Sequence, residues 1–410
     1  MRTIVLSLVL CLPLAVAAWD FQGDETRKPE LQRAVDVLET FGFPAPDAVR
    51  LDDSALALTL QGQTLGAPLK DGSVDLAWAL LDLELAVVDR DAFRPWRDAT
   101  SAFLRNRAHK TDWIPSSLQQ GMLKAWITDL TRDRPETLGS LWSAVRGKGW
   151  REWKTFFQFN AGTTPEDSFA ASAFKALPAL RPLIPRAAPV NLKEGQITFA
   201  LPPAAPLSVS LVELAFPADR MTGTGIAWDA PRFPVPAVLL AYYGPPLDTF
   251  EVVDLSRKQN EILVPFKGLS ALYIAGFSPD FAAAGDSVTL HAAPEENYPF
   301  VLKQAALRQD EEGISVTFDA EALRRVDGFV LMKGMAGDSA RPQTVGMVPG
   351  LGSSADAYSF TIMDAASPAE GQRPVYYLYA LTEDGLLAQA AELPLAASQP
   401  VVAGTAAELQ

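Results

Sequence analysis

Leu177-Pro178-Ala179-Leu180-Arg181-Pro182-Leu183-Ile184-Pro185-Arg186-Ala187-Ala188-Pro189-Val190 places a proline at every third or fourth position. Proline fixes φ and lacks a backbone N–H, so the stretch continues neither a helix nor a central strand. It reads as an extended, semi-rigid connector over 177–190. The chain differs on its two sides. Upstream, the apolar spacing is largely helical and eight of the nine tryptophans occur; downstream, short alternating runs are cut by Pro, Gly and Asp, with Trp228 alone. The expectation is a multidomain α + β chain: a mainly α-helical N-terminal domain over 19–176, then two antiparallel β-sandwich domains over 191–294 and 295–397.

The ends bound the compartment. Met1-Arg2-Thr3, an apolar run from Ile4 to Leu14 and the small residues Ala15-Val16-Ala17-Ala18 read as a signal peptide over 1–18. The apolar run is shorter than the ~20 residues a membrane-spanning helix needs. Cys11 is the only cysteine, and it falls in this leader. The mature chain is then expected to hold no disulfide and no thiolate, and to be secreted or periplasmic, in keeping with an Ala/Pro-rich bacterial composition. Residues 398–410 read as a disordered tail.

The net charge of −14 is uneven. From Arg90 to Lys154 there are 13 basic against 7 acidic residues, and from Asn191 onward 13 against 26. Such an acidic balance argues against general nucleic-acid binding.

Upstream, Leu31, Ala34, Val35 and Leu38 mark one helix face over Lys28–Thr40, stopped by Phe41-Gly42-Phe43-Pro44. Ser54–Leu65 alternates around Gln61-Gly62-Gln63 and favours a hairpin. Val74–Val88 reads as a buried helix with an acidic stripe of Asp75, Asp82 and Asp89. Ser116 and Gln119 are spaced as a capping box. Leu138, Leu141 and Trp142, then Trp150, Trp153 and Phe157, continue the helical spacing. Thr164-Pro165-Glu166-Asp167 opens another helix.

Cations and aromatics interleave in Arg146-Gly147-Lys148-Gly149-Trp150-Arg151-Glu152-Trp153-Lys154. Trp150, Arg151, Trp153 and Lys154 are the candidate ligand-binding residues: indoles stack on sugar rings and cations pair with acidic groups. The competing reading places the tryptophans in the core, three residues apart, with the cations in water. Arg94-Pro95-Trp96-Arg97, followed by Arg105, Arg107, His109 and Lys110 near Trp113, forms a second such cluster.

Downstream, eight strands are expected between Gln196 and Ala292. In the final block, Gly313–Phe318 brings Ile314, Val316 and Phe318 to one face. Val326–Gly334 is a Gly-aromatic-aliphatic run. Thr344–Val348 is a further strand, Tyr358, Phe360 and Ile362 alternate, and Val375–Ala380 leads through Thr382-Glu383-Asp384-Gly385 into Leu386–Leu393. This block resembles the fibronectin type III or immunoglobulin-like sandwich, with Phe318 where that family carries tryptophan. The resemblance implies a spacer or binding module and no chemistry.

Little chemistry is written elsewhere. His109 and His291 are the only histidines, and no Gly-x-Ser-x-Gly elbow or phosphate loop is present. No catalytic residue, metal ligand or cofactor is expected. Paired carboxylates remain the open alternative, with Glu152 as the first candidate acid. The function expected is an exported cell-envelope or extracellular binding or scaffold protein whose partner is an envelope polysaccharide or a protein. The alternative is a secreted carbohydrate-active hydrolase using the helical domain.

Overall fold

The computed structural model describes residues 20–23, 25–44, 48–52, 59–61, 64–68, 90–145, 150–184, 188–192, 195–216, 223–278, 284–295, 300–310, 312–321, 326–335, 341–350, 357–366 and 372–395. The leader, the helix expected over 74–88 and the tail expected over 398–410 lie outside them. The described residues form two compact units: 20–116 with 123–168, and 117–122 with 169–395.

The elements run β1 (Asp20–Gln22), α1 (Lys28–Thr40), β2 (Ala48–Asp52), β3 (Thr59–Gln61), β4 (Thr64–Pro68), α2 (Arg90–His109), α3 (Leu118–Thr131), α4 (Thr137–Val145), α5 (Trp150–Ala161) and α6 (Pro165–Ala176). There follow β5 (Val190–Asn191), β6 (Ile197–Leu201), β7 (Ser208–Ala215), β8 (Gly223–Trp228), β9 (Ala237–Tyr243), β10 (Thr249–Asp254), β11 (Glu261–Pro265), β12 (Leu269–Ser278) and β13 (Val288–Glu295). The last are β14 (Val301–Asp310), β15 (Gly313–Glu321), β16 (Val326–Met335), β17 (Gln343–Pro349), β18 (Tyr358–Asp364), β19 (Pro374–Thr382) and β20 (Leu387–Pro394). A mainly helical N-terminal region followed by antiparallel sheets is the α + β organisation read from the sequence.

In the first unit, α1 buries the four residues its spacing marks, Leu31, Ala34, Val35 and Leu38. Gly42, at φ +77°, turns the chain beyond it. Gly139 crosses here: its N–H donates to the Phe41 carbonyl at 2.8 Å, and a Cβ on it would lie 2.1 Å from the Gly42 backbone. Only glycine permits that approach. The hairpin expected around residue 62 appears as the antiparallel pair β3–β4, with Leu60 opposite Leu65. It belongs to a mixed sheet of order β1-β2-β4-β3 whose parallel pairs alternation alone did not reveal. Helix α6 starts on a capping pair: the Thr164 hydroxyl accepts from the Asp167 N–H at 3.1 Å and donates to the Asp167 carboxylate at 2.8 Å. The capping box expected of Ser116 and Gln119 is replaced. Ser117 is the cap, accepting from the Gln120 N–H at 3.3 Å. The Gln119 amide instead donates to the carbonyls of Pro206 and Leu207.

In the second unit, β6–β13 pair as a nested series: β6 with β13, β7 with β12, β8 with β11, β9 with β10. That is a long hairpin rolled into two sheets, the jelly-roll form of the β-sandwich. The sheets are β10-β9-β12-β7-β5 and β11-β8-β13-β6. Ile226, Trp228, Leu239, Ala241, Leu272, Ile274 and Leu290 fill the space between them.

Strand β9 is buried at every residue, on both faces. Its outer face is covered by the segment that follows α6. The Arg181 guanidinium lies 3.7 Å over the Tyr242 ring of β9, and beside it the Phe174 ring, in α6 itself, meets Phe277 of the neighbouring β12 edge-on at 4.8 Å. The proline-rich stretch is therefore not extended between Leu177 and Ile184. It makes turns and a short 3₁₀ segment, Arg181–Leu183, against the sheet. Proline spacing forbids an α-helix there but allows a 3₁₀ turn with proline in its first positions.

The last seven strands form sheets of order β14-β15-β18 and β17-β16-β19-β20. This three-plus-four arrangement is the fibronectin type III-like sandwich. Phe318, at the tryptophan position, stacks on Phe360 at 5.1 Å and meets Phe329 at 5.0 Å, so a phenylalanine cluster replaces one indole. Strand β14 went unread because a bulge between Leu302 and Gln304 resets its alternation.

Candidate functional site

Of the basic aromatic stretch, residues 150–154 open α5, and 146–149 lie outside the described residues. Trp153 is wholly buried, and its indole N–H donates to the Leu141 carbonyl at 2.9 Å. It joins a tryptophan cluster in which Trp96 stacks on Trp142 at 4.4 Å and meets Trp153 at 5.3 Å. A ring enclosed in this way offers no face to a sugar. The Lys154 ammonium pairs with Glu166 at the start of α6. The side chains of Trp150, Arg151 and Glu152 lie outside the described residues. In the second cluster Trp96 is core, Arg97 pairs with Asp98 at 3.3 Å, and the Arg107 guanidinium sits 5.2 Å from the Phe103 ring. The helical spacing carries the physical explanation: indoles three and four positions apart fall on one face, and the largest apolar side chains take the inside of it.

On the jelly roll, His291 faces outward from β13. Its Nδ1 is 3.0 Å from the Thr198 hydroxyl and its Nε2 is 3.4 Å from the Asp229 carboxylate. The order hydroxyl–imidazole–carboxylate resembles a nucleophilic triad. Its surroundings do not serve that chemistry. Asp229 is 85% exposed, and the neighbouring outward residues are small, with open space at Gly225. Among the described residues, nothing there excludes water or aims donors at an oxyanion.

A polar ladder covers the outer face of β14-β15-β18. The Gln304 amide and the Ser359 hydroxyl both donate to Asp319, and Thr317 lies opposite Thr361. These pairs are exposed to solvent.

The most constructed feature is the joint between the two sandwiches. Tyr379, Leu386 and Leu387 of the second complete the core of the first. The Tyr243 hydroxyl, at the end of β9, accepts from the Leu387 N–H at 2.8 Å. Asp384 accepts from the Leu263 N–H at 3.1 Å and pairs with the Lys258 ammonium at 3.0 Å. The Gln389 N–H donates to the Lys267 carbonyl at 3.1 Å. Gly268, at φ +93°, lets this turn approach: a Cβ on it would stand 3.2 Å from that of Gln389. Burial lifts the Glu251 carboxyl above the ordinary carboxylate range, and the charge of Arg341 on the second sandwich opposes this. None of Tyr243, Lys258 or Asp384 stands out in the sequence. Asp384 reads as a turn residue, and nothing local marks a partner 121 positions earlier.

Within the second sandwich, Asp364 is 6% exposed and holds the two sheets together at one end. It accepts from the Tyr376 hydroxyl at 2.7 Å, the Lys333 ammonium at 2.7 Å and the Ala366 N–H at 3.0 Å. Burial alone would raise its pKa, but these partners outweigh it and hold the carboxyl below its ordinary range. Burial and the adjacent carboxylate push Tyr376 upward.

No protein-family model and no curated protein matches the chain. Similar solved structures include a β-1,2-glucanase from Parabacteroides distasonis, with 10% identity over 52% of this chain and 39% of that one, at a TM-score of 0.17. A segment of two fibronectin type III domains from chicken tenascin is 11% identical over 47% of this chain and 96% of that one, at a TM-score of 0.18. A β-glucuronidase from Parabacteroides merdae is 12% identical over 50% of this chain and 28% of that one, at 0.17. The chain spans well under half the length of either hydrolase. Likenesses of this size carry no argument; the sandwich assignments rest on strand order and register. Among the described residues no helix is long and apolar enough to cross a membrane.

Proposed function

We propose that this chain is an exported binding or scaffold protein of the cell envelope or extracellular space, in which the jelly roll and the fibronectin type III-like sandwich act as one rigid spacer. The observation that carries this reading is the joint. Shared core residues, a buried tyrosine hydroxyl and a carboxylate bonded across the boundary fix two sandwiches that a flexible linker would leave free. Rigid spacing is what a scaffold needs to hold a bound partner at a set distance. The burial of Trp153 supports a packed helical core over an aromatic cleft in that part of α5.

The test is co-sedimentation of the mature protein with insoluble envelope polysaccharide at low and high salt, with release of reducing sugar followed in the same tubes. Binding without release supports the scaffold with a polysaccharide ligand. Release of reducing sugar contradicts it and points to a carbohydrate-active hydrolase. Absence of binding moves the ligand to the protein class, which cross-linking through the sandwich faces then identifies.

A further inference from the structure

On the jelly-roll sheet β10-β9-β12-β7-β5, register sets Tyr242 beside Phe250 and Tyr273 beside Glu213. Alternation turns these four side chains away from the core that Leu239, Ala241 and Leu272 fill. The Tyr242 and Phe250 rings are 4.9 Å apart, and the Arg181 guanidinium lies 3.7 Å over the first and 5.9 Å from the second. Arg181 is exposed, and among the described residues its guanidinium makes no ion pair or hydrogen bond, in a chain of net charge −14. Elsewhere in this unit Lys258, Lys303 and Lys333 are paired with Asp384, Glu321 and Asp364. The carboxylates near Arg181 are held off it. Asp248 accepts from the Tyr242 hydroxyl. Burial raises the pKa of the Tyr273 hydroxyl, the Glu213 charge adds to this and the Arg181 charge opposes it, so both charges reach that hydroxyl. A guanidinium stacked on a ring is held flat, with its N–H donors spread outward in one plane. That is the geometry that receives a carboxylate through two parallel bonds.

We propose that Arg181 binds the carboxylate of a uronic-acid sugar, with the half-buried Phe250 and Tyr273 rings supporting the sugar body. This rests on the reading of the chain as a polysaccharide-binding scaffold, and it names where on the scaffold the ligand sits. A carboxylate suits the site better than a phosphate, because each further negative charge on the ligand is repelled by Glu213. A sugar suits it better than a peptide terminus. Beside the guanidinium, Tyr273 offers a hydroxyl donor and Glu213 an acceptor, the two partners that sugar hydroxyls take, and the rings offer apolar faces.

The experiment is titration calorimetry of the full chain with an oligomannuronate, and with the same oligosaccharide after its carboxyls are reduced to alcohols. The expected result is binding of the oligomannuronate that weakens about tenfold or more on carboxyl reduction and in Arg181→Gln. Arg181→Lys keeps the charge without the fork and falls between wild type and Arg181→Gln. Arg308→Gln, which removes an exposed cation of the other sandwich, leaves the affinity unchanged. Thermal melts confirm that each variant folds, and Arg181→Lys carries the test if Arg181→Gln does not fold. No binding of the oligomannuronate overturns the proposal. So does equal affinity for the reduced sugar, an equal loss in Arg181→Gln and Arg308→Gln, or preference for a peptide with a free C-terminal carboxylate. Co-sedimentation with envelope polysaccharide that persists in Arg181→Gln overturns this site alone and leaves the scaffold reading standing.

Discussion

Strands β20 and β17 are the two outer strands of the same sheet, yet they end differently. Strand β20 is sealed by the jelly roll, through the Gln389–Lys267 backbone bond and the neighbouring Asp384 and Leu387 contacts. Strand β17 carries no charge and lies beside β18 of the facing sheet. One edge is thus fixed to the jelly roll, and the other lies against the facing sheet of its own sandwich, where a Cβ on Gly346 would stand 2.8 Å from Ile362. The difference teaches that edge protection here is tertiary rather than written into strand composition, since β20 itself carries only Glu392.

The largest way to break the contrast is to unseal β20. Asp384→Ala leaves the Leu263 N–H without its acceptor and Lys258 without its counter-ion. Asp384 is buried, so the expected cost is about 2–4 kcal/mol. Urea unfolding should show it, with the single transition of the tandem splitting in two. Tyr243→Phe removes the acceptor for the Leu387 N–H while keeping the ring. The expected loss is about 1–2 kcal/mol by the same measurement.

Acid distinguishes the joint from the interior of the second sandwich. The folded-state pKa of Asp364 lies below its ordinary value of 3.8. The stability it contributes is therefore complete above that ordinary value and is lost as pH falls through the folded one. Asp364→Asn should remove this acid limb from a pH series of melting temperatures. On β17, Met347→Glu should change stability by no more than ~0.5 kcal/mol, because the side chain is 64% exposed.

The sequence made the strands legible because half-buried sheets alternate. All eight strands expected between Gln196 and Ala292 form, with ends shifted by a few residues. Helix α1 was legible for the same reason at period 3.6. Strand β14 was hidden by its bulge, and the cap at Ser117 by a neighbouring serine of equal propensity. The segment after Leu177 was misjudged because proline reports what a chain cannot form. It says nothing of Tyr242, 61 positions away from Arg181, whose ring holds the guanidinium. The joint was illegible in principle: Tyr243, Lys258 and Asp384 meet only after two sandwiches have folded. Trp153 was readable as a surface or a core residue, and packing around Trp96 and Trp142 decides for the core.

The central claim is that the two sandwiches are one rigid body. The most direct measurement is the distance distribution between nitroxides at Thr289→Cys on the jelly roll and Thr361→Cys on the second sandwich, with Cys11→Ser, by pulsed dipolar spectroscopy. The account predicts a single narrow distribution that broadens when Asp384→Ala is added. A broad distribution in the otherwise native chain, unchanged by that substitution, would contradict it.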